Sequence, residues 1–100
     1  MYLSELISKL EEHPPTQVVT HGFSEPHSYR GYYDRLAFEP TDNTTVGEML
    51  ACCKEALGNT YEGYKGGEYL MDKHTECYIA HYGRTGEKIG PILLKYMLGE

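Results

Sequence analysis

The sequence contains no tryptophan, only two phenylalanines and only three cysteines. Cys52, Cys53 and Cys77 show no Cys-x-x-Cys spacing, which argues against a zinc site and against a disulfide framework. Apolar runs of the length that a membrane helix needs are absent, and so is the pattern of a signal or transit peptide. We therefore expect a cytosolic protein without membrane contact or a bound metal.

Basic residues are also scarce. Nine lysines and arginines stand against fifteen acidic residues, which gives a formal net charge of −6. Proteins that bind duplex nucleic acid need a basic face that neutralises several phosphates, so this class is disfavoured. A small phosphorylated ligand requires only two or three well-placed cations and is compatible with the acidic total. An acidic protein can also mimic nucleic acid or dock on a basic partner.

Sequence motifs of catalysis are missing. The chain has no G-x-G-x-x-G, no Walker loop, no H-E-x-x-H and no G-x-S-x-G. His21 and His81, with Asp34 or Glu39 nearby, would form a hydrolytic site only if they met across a sheet. Hydrogen bonding to the backbone is the simpler role for each histidine. Cys53 lies on a predicted apolar helix face, where a buried cysteine behaves as a small hydrophobic residue. We expect no catalytic residue and no cofactor.

The length of 100 residues allows one domain, residues 1–100, with one modest core. Apolar residues at i, i+3, i+4 and i+7 predict a first helix over residues 2–13. The capping box Thr45-Val46-Gly47-Glu48 predicts a second helix, and Pro91 suits the start of a third. Because small domains gain stability from association, packing between subunits is expected.

β-branched and aromatic runs predict the strands. Residues 17–23 and 32–39 are predicted to pair around a loop at residues 24–31, with a turn at residues 40–43. Residues 68–71 and 75–82 are predicted to form a hairpin that turns at residues 72–74. The order α-β-β-α-β-β-α indicates a small α+β domain in which helices cover an antiparallel sheet.

The ten tyrosines are the main functional signal. Three predicted loops combine an aromatic ring, a cation and a glycine: Tyr29-Arg30-Gly31, Tyr64-Lys65-Gly66-Gly67 and Tyr82-Gly83-Arg84. The ring offers a stacking surface, the cation pairs with phosphate, and the glycine lets backbone approach a ligand closely. Arginine binds phosphate bidentately, so Arg30 and Arg84 rank ahead of Lys65.

The sequence resembles a family of small phage and prophage proteins, most closely the first family of Thoeris anti-defence proteins. The segments that carry the resemblance are Gly22-Phe23, Pro26-His27-Ser28-Tyr29-Arg30-Gly31, Leu36-Ala37-Phe38-Glu39-Pro40, Thr45-Val46-Gly47-Glu48-Met49-Leu50, Ala56-Leu57-Gly58, Gly63-Tyr64-Lys65-Gly66-Gly67 and Gly90-Pro91. The resemblance implies a sponge in the cytoplasm of an infected bacterium. It would bind a cyclic ADP-ribose isomer such as gcADPR, or a cyclic oligonucleotide, without cleaving it.

The same resemblance implies assembly as a homo-oligomer, a dimer or a higher oligomer such as a hexamer, with ligand pockets between subunits. Arg30 would contact phosphate, and Phe23, Tyr33 or Tyr64 would stack on adenine. Two other functions stay open at this point. One is an acidic inhibitor that binds a host defence complex, as anti-CRISPR proteins do. The other is a hydrolase that cleaves the cyclic nucleotide.

Overall fold

The computed structural model describes residues 1–63, 65–81 and 85–100. The helices and strands within these residues are α1 (Leu3–Glu11), β1 (Val18–Tyr29), β2 (Tyr32–Thr45), α2 (Val46–Ala56), β3 (Thr60–Glu62), β4 (Glu68–Leu70), β5 (Cys77–His81), β6 (Thr85–Lys88) and α3 (Pro91–Met97). The predicted order of helices and β regions is confirmed, and the second β region contains four short strands where two were predicted. None of the described helices is long and apolar enough to cross a membrane.

Four strands form one sheet in the order β1-β2-β5-β6. The pairs β1–β2 and β5–β6 are antiparallel, whereas β2 and β5 run parallel. The strands β3 and β4 form a separate antiparallel ribbon. Parallel neighbours need a long crossover, and here α2 and this ribbon lie between β2 and β5 in the chain. The predicted α+β class with a mainly antiparallel sheet is confirmed.

The core lies between the helices and the four-stranded sheet. The α1 stripe buries Leu3, Leu6 and Leu10, as the helical spacing predicted. Phe23 of β1 is fully buried, and its ring centroid lies 4.3 Å from that of Phe38. The prediction that Phe23 stacks on a ligand is therefore corrected, because its ring has no exposed surface and packs in the core.

The segment 24–31, predicted as a loop, is mostly strand. β1 continues to Tyr29 and pairs with β2 along its length, so the connection is reduced to Arg30 and Gly31. Pro26 is accommodated because the register shifts next to it, where Glu25 adopts a φ of +48°. The turn predicted at residues 40–43 is likewise part of β2.

The hairpin predicted between residues 68–71 and 75–82 does not form. β4 pairs with β3, and β5 pairs with β2 and β6. Of the capping box predicted for α2, the hydrogen bond to the Thr45 side chain is present, whereas the Glu48 side chain has a different partner. Thr45 Oγ1 accepts a hydrogen bond from the Glu48 backbone N–H at 3.2 Å, but the Glu48 carboxylate accepts one from the Thr44 hydroxyl at 2.7 Å.

Candidate ligand-binding surface

The turn between β1 and β2 carries Arg30. Tyr29 is paired with Tyr32, so Arg30 and Gly31 alone connect the two strands. Gly31 has a φ of +92°, a backbone conformation that glycine adopts readily. Arg30 is exposed at this turn and is flanked by the two paired tyrosines.

A bulge follows this turn in β2. Tyr32 faces Tyr29 and Leu36 faces Ser28, so β2 has extra residues between these two pairs. The residues without a partner on β1 are Tyr33, Asp34 and Arg35. The Ser28 hydroxyl donates a 2.7 Å hydrogen bond to the Tyr33 carbonyl and thereby closes the bulge. Bulges redirect side chains, and this one places Arg35 beside β5.

Three rings, which we call the tyrosine cluster, gather at the bulge: Tyr29, Tyr32 and Tyr78. Ring centroids lie 4.5 Å apart for Tyr29 and Tyr78, and 5.7 Å apart for Tyr29 and Tyr32. Tyr29 is only 7% exposed, and this burial raises the pKa of its phenol. Tyr32 is 56% exposed. The cluster therefore has a buried base and an exposed ring that offers its surface to solvent.

Gly86 of β6 makes room for the cluster. A Cβ atom at this position would lie 2.5 Å from a carbon of the Tyr29 ring and 3.0 Å from the Ile79 carbonyl oxygen. The shorter of these distances is one that Cβ atoms essentially never show in proteins. The glycine therefore has a packing role here.

Arg35 supplies the cation of this surface. Its guanidinium carbon lies 4.9 Å from the centroid of the Tyr32 ring and 5.8 Å from that of Tyr78. One guanidinium nitrogen donates a 2.7 Å hydrogen bond to the Tyr78 hydroxyl. Arg35 was not among the sequence candidates, because no aromatic–cation–glycine motif contains it. Its aromatic partner Tyr78 lies on another strand and is brought close by the β2–β5 pairing.

A second cation, Lys88, lies at the edge of the tyrosine cluster and pairs with Glu76. The Lys88 ammonium is 3.2 Å from the Glu76 carboxylate, and the Arg35 guanidinium is 3.9 Å from it. The hydrogen bond from Lys88 is the main reason why the pKa of Glu76 lies below its usual value. Asp34 also acts on Arg35, so two cations and two carboxylates meet in this part of an otherwise acidic protein and their charges balance.

Tyr33 and Lys65 lie at a neighbouring contact. The rings of Tyr33 and Tyr69 are 5.6 Å apart, and both pack against Gly63, where a Cβ atom would lie about 3 Å from each. Lys65 is exposed in the turn after Gly63, which is closed by a 2.9 Å hydrogen bond from the Gly66 N–H to the Gly63 carbonyl. Tyr33, two residues after Gly31, thus contacts Gly63, which lies two residues before Lys65.

Tyr64 and Arg84 lie outside the described residues. The ends of β5 and β6 that flank Arg84 are His81 and Thr85, which are paired with each other.

Several of the described histidines pair with carboxylates. His21 Nδ1 is 3.1 Å from Asp42, and His27 Nε2 is 3.2 Å from Glu39. No group of three metal-ligating side chains is found among the described residues. Cys53 is fully buried, as predicted, and burial raises the pKa of the Cys77 thiol to about 12. Neither thiol is suited to act as a nucleophile.

An open cleft of about 430 Å³ borders the Arg35–Glu76 pair. Its other lining residues are Tyr2, Asp34, Leu70, Asp72, His74 and Thr75. The carboxylates outnumber Arg35 here, so the cleft itself is unfavourable for a phosphate. The exposed ring of Tyr32 and the Lys88 side offer the better approach for an anion.

We compared the chain with protein-family models, curated proteins and solved structures. No protein-family model matches the chain, and neither a curated protein nor a solved structure gives a match.

Proposed function

We propose that the protein binds a phosphorylated cyclic nucleotide intact and keeps it from its receptor, as a phage-encoded sponge of an immune signal. The observation that carries the proposal is the Arg35 guanidinium held over the exposed Tyr32 ring and bonded to Tyr78. A base can stack on such a ring, and a guanidinium beside it can pair with the phosphate. Arg30, at the adjacent turn, supplies a further cation.

The surface is open in a single copy of the chain, whereas tight capture of a small molecule requires burial of most of its surface. We propose that a second copy closes the site, in keeping with the expected homo-oligomer. Size-exclusion chromatography with light scattering, with and without ligand, tests this step. A monomer that stays monomeric when saturated with ligand would contradict it.

The direct test is recovery of the ligand. The protein is mixed with a slight excess of gcADPR, separated from free ligand, heated to denature it, and the released compound is analysed by mass spectrometry. The sponge proposal expects unaltered ligand in an amount stoichiometric with protein. Altered ligand in excess of the protein would support the hydrolase, and absence of uptake at micromolar protein would contradict nucleotide binding.

A second candidate function is supported by exposed apolar residues at another place. Val18, Ile92 and Tyr96 are 67%, 85% and 73% exposed, and Val18 and Tyr96 line one shallow groove. Such residues favour a protein contact, which is what an inhibitor of a host defence complex requires. A complex with a host protein that survives Arg35→Ala but is lost in Tyr96→Ser would favour this function over the sponge.

A further inference from the structure

Three donors converge on a single oxygen atom of Glu76. The Lys88 ammonium lies 3.2 Å from Oε2, the Tyr78 hydroxyl 3.5 Å and the Arg35 guanidinium 3.9 Å. They come from three different strands, β6, β5 and β2, and Glu76 itself directly precedes β5. The Glu76 side chain is 27% exposed, so the carboxylate is partly enclosed but reachable from solvent.

This arrangement has the chemistry of an anion site. A lysine, an arginine and a phenol are donors that also bind phosphate oxygens. The guanidinium uses one hydrogen bond on Tyr78 and has five N–H donors in all. Asp34 also acts on Arg35, so the field on an incoming anion comes from two cations and two carboxylates when Glu76 is ionised. Removing the charge of Glu76 leaves an excess of positive charge.

We propose that Arg35, Tyr78 and Lys88 form a phosphate-binding site in which the chain's own Glu76 carboxylate is the resident competitor. The identity of the natural ligand rests on the proposed function. One phosphate of that nucleotide would displace Glu76 while the base of the nucleotide stacks on Tyr32. A free phosphate gains no stacking and competes poorly with a tethered carboxylate. Glu76 thereby selects for ligands that carry a base as well as a phosphate.

The test uses inorganic phosphate and adenosine monophosphate as probes, titrated calorimetrically at neutral pH into the wild type and Glu76→Gln. The substitution keeps the size of the side chain and removes its charge. We expect Glu76→Gln to bind phosphate at least tenfold more tightly than the wild type, and adenosine monophosphate more tightly still. Lys88→Gln added to Glu76→Gln should abolish the gain.

Glu11→Gln is the matched control, because it frees Lys54 from an exposed pair of 3.5 Å elsewhere on the protein. It should gain no affinity for phosphate. An equal gain in Glu11→Gln, or less than a twofold gain in Glu76→Gln, would overturn the proposal. Equal binding of both probes by Glu76→Gln would support the anion site and overturn the stacking on Tyr32.

Circular dichroism must show that Glu76→Gln is folded, and Glu76→Ala replaces it if it is not. If both variants unfold, Glu76 is a structural counter-ion and the proposal is wrong. The cyclic nucleotide is not used as a probe here. A negative result here would therefore not contradict the sponge proposal, which is tested separately by the recovery of ligand.

Discussion

The Arg35 guanidinium donates a 2.7 Å hydrogen bond to the hydroxyl of Tyr78, although 43 residues separate the two in sequence. The bond crosses the parallel pair β2–β5, in which Ala37 lies opposite Tyr78. The same pairing that joins the two halves of the chain therefore also fixes a cation against aromatic rings. Fold and candidate site are coupled at this point.

Tyr32→Leu separates binding from stability. The ring is 56% exposed, so its loss should change the free energy of unfolding by less than about 0.5 kcal/mol. If a base stacks on it, affinity for the cyclic nucleotide should fall about tenfold, since stacking contributes about 1–3 kcal/mol per base. Phe23→Leu is the opposite control. It should lower stability by about 1–2 kcal/mol and leave the affinity of the folded protein unchanged.

Gly86→Ala tests the packing beneath the tyrosine cluster. The new methyl group would collide with the Tyr29 ring and the Ile79 carbonyl, so we expect a loss of about 1–3 kcal/mol in urea unfolding. Gly90→Ala is the comparison, since its Cβ would meet no atom within 4 Å. It should cost less than about 1 kcal/mol, mainly through the N-cap position that Gly90 occupies. Equal losses in the two variants would contradict the role given to Gly86.

Local sequence patterns were sufficient to predict the positions of the three helices. The spacing of Leu3, Leu6 and Leu10 indicates the buried face of α1, and Thr45 and Pro91 mark the starts of α2 and α3. Only the first half of β1 was predicted, as residues 17–23, because Pro26 weakens the strand signal in the second half. A register shift beside Pro26 restores the pairing in a way that composition does not reveal.

The candidate site was only partly predictable. Tyr29 belongs to the tyrosine cluster and Arg30 lies at the adjoining turn, whereas Tyr33 lies at the neighbouring contact with Tyr69. Arg35 was missed because its position depends on the bulge in β2 and on a parallel pairing with a distant strand. Non-local pairings of this kind leave no short-range mark in the sequence.

The dependence of stability on acid pH tests the ion pair between Glu76 and Lys88. A carboxylate whose pKa is lowered on folding stabilises the protein above its ordinary pKa near 4.5, and this contribution is lost as the pH falls through the lower folded value. The wild type should therefore lose more stability between pH 5 and pH 3 (roughly the range of carboxylate titration) than Glu76→Gln does. Unfolding midpoints measured across this range provide the comparison. Identical slopes for the two proteins would argue against the pair.

Thiol alkylation tests the core. Cys77, whose pKa is raised to about 12, and Cys53 are buried, whereas Cys52 is partly exposed. Burial also raises the pKa of Cys52, but its thiol is the most accessible of the three, so iodoacetamide near pH 8 (roughly the pH at which thiols begin to ionise) should modify Cys52 first. The other two should react only on unfolding. Mass spectrometry of the peptides gives the order of labelling, and early labelling of Cys77 would be inconsistent with the packing of β5.

The most direct measurement is calorimetric titration of gcADPR into the wild type, Arg35→Gln and Lys9→Gln. Lys9 is an exposed lysine on α1, paired with Glu12 and remote in sequence from the tyrosine cluster. If Arg35 binds a ligand phosphate, Arg35→Gln should weaken binding about tenfold to a hundredfold, because a hydrogen bond to a charged group contributes about 1.5–3 kcal/mol. Lys9→Gln should bind as the wild type does. Equal affinity of Arg35→Gln and the wild type, or no binding by any of the three, would contradict the account.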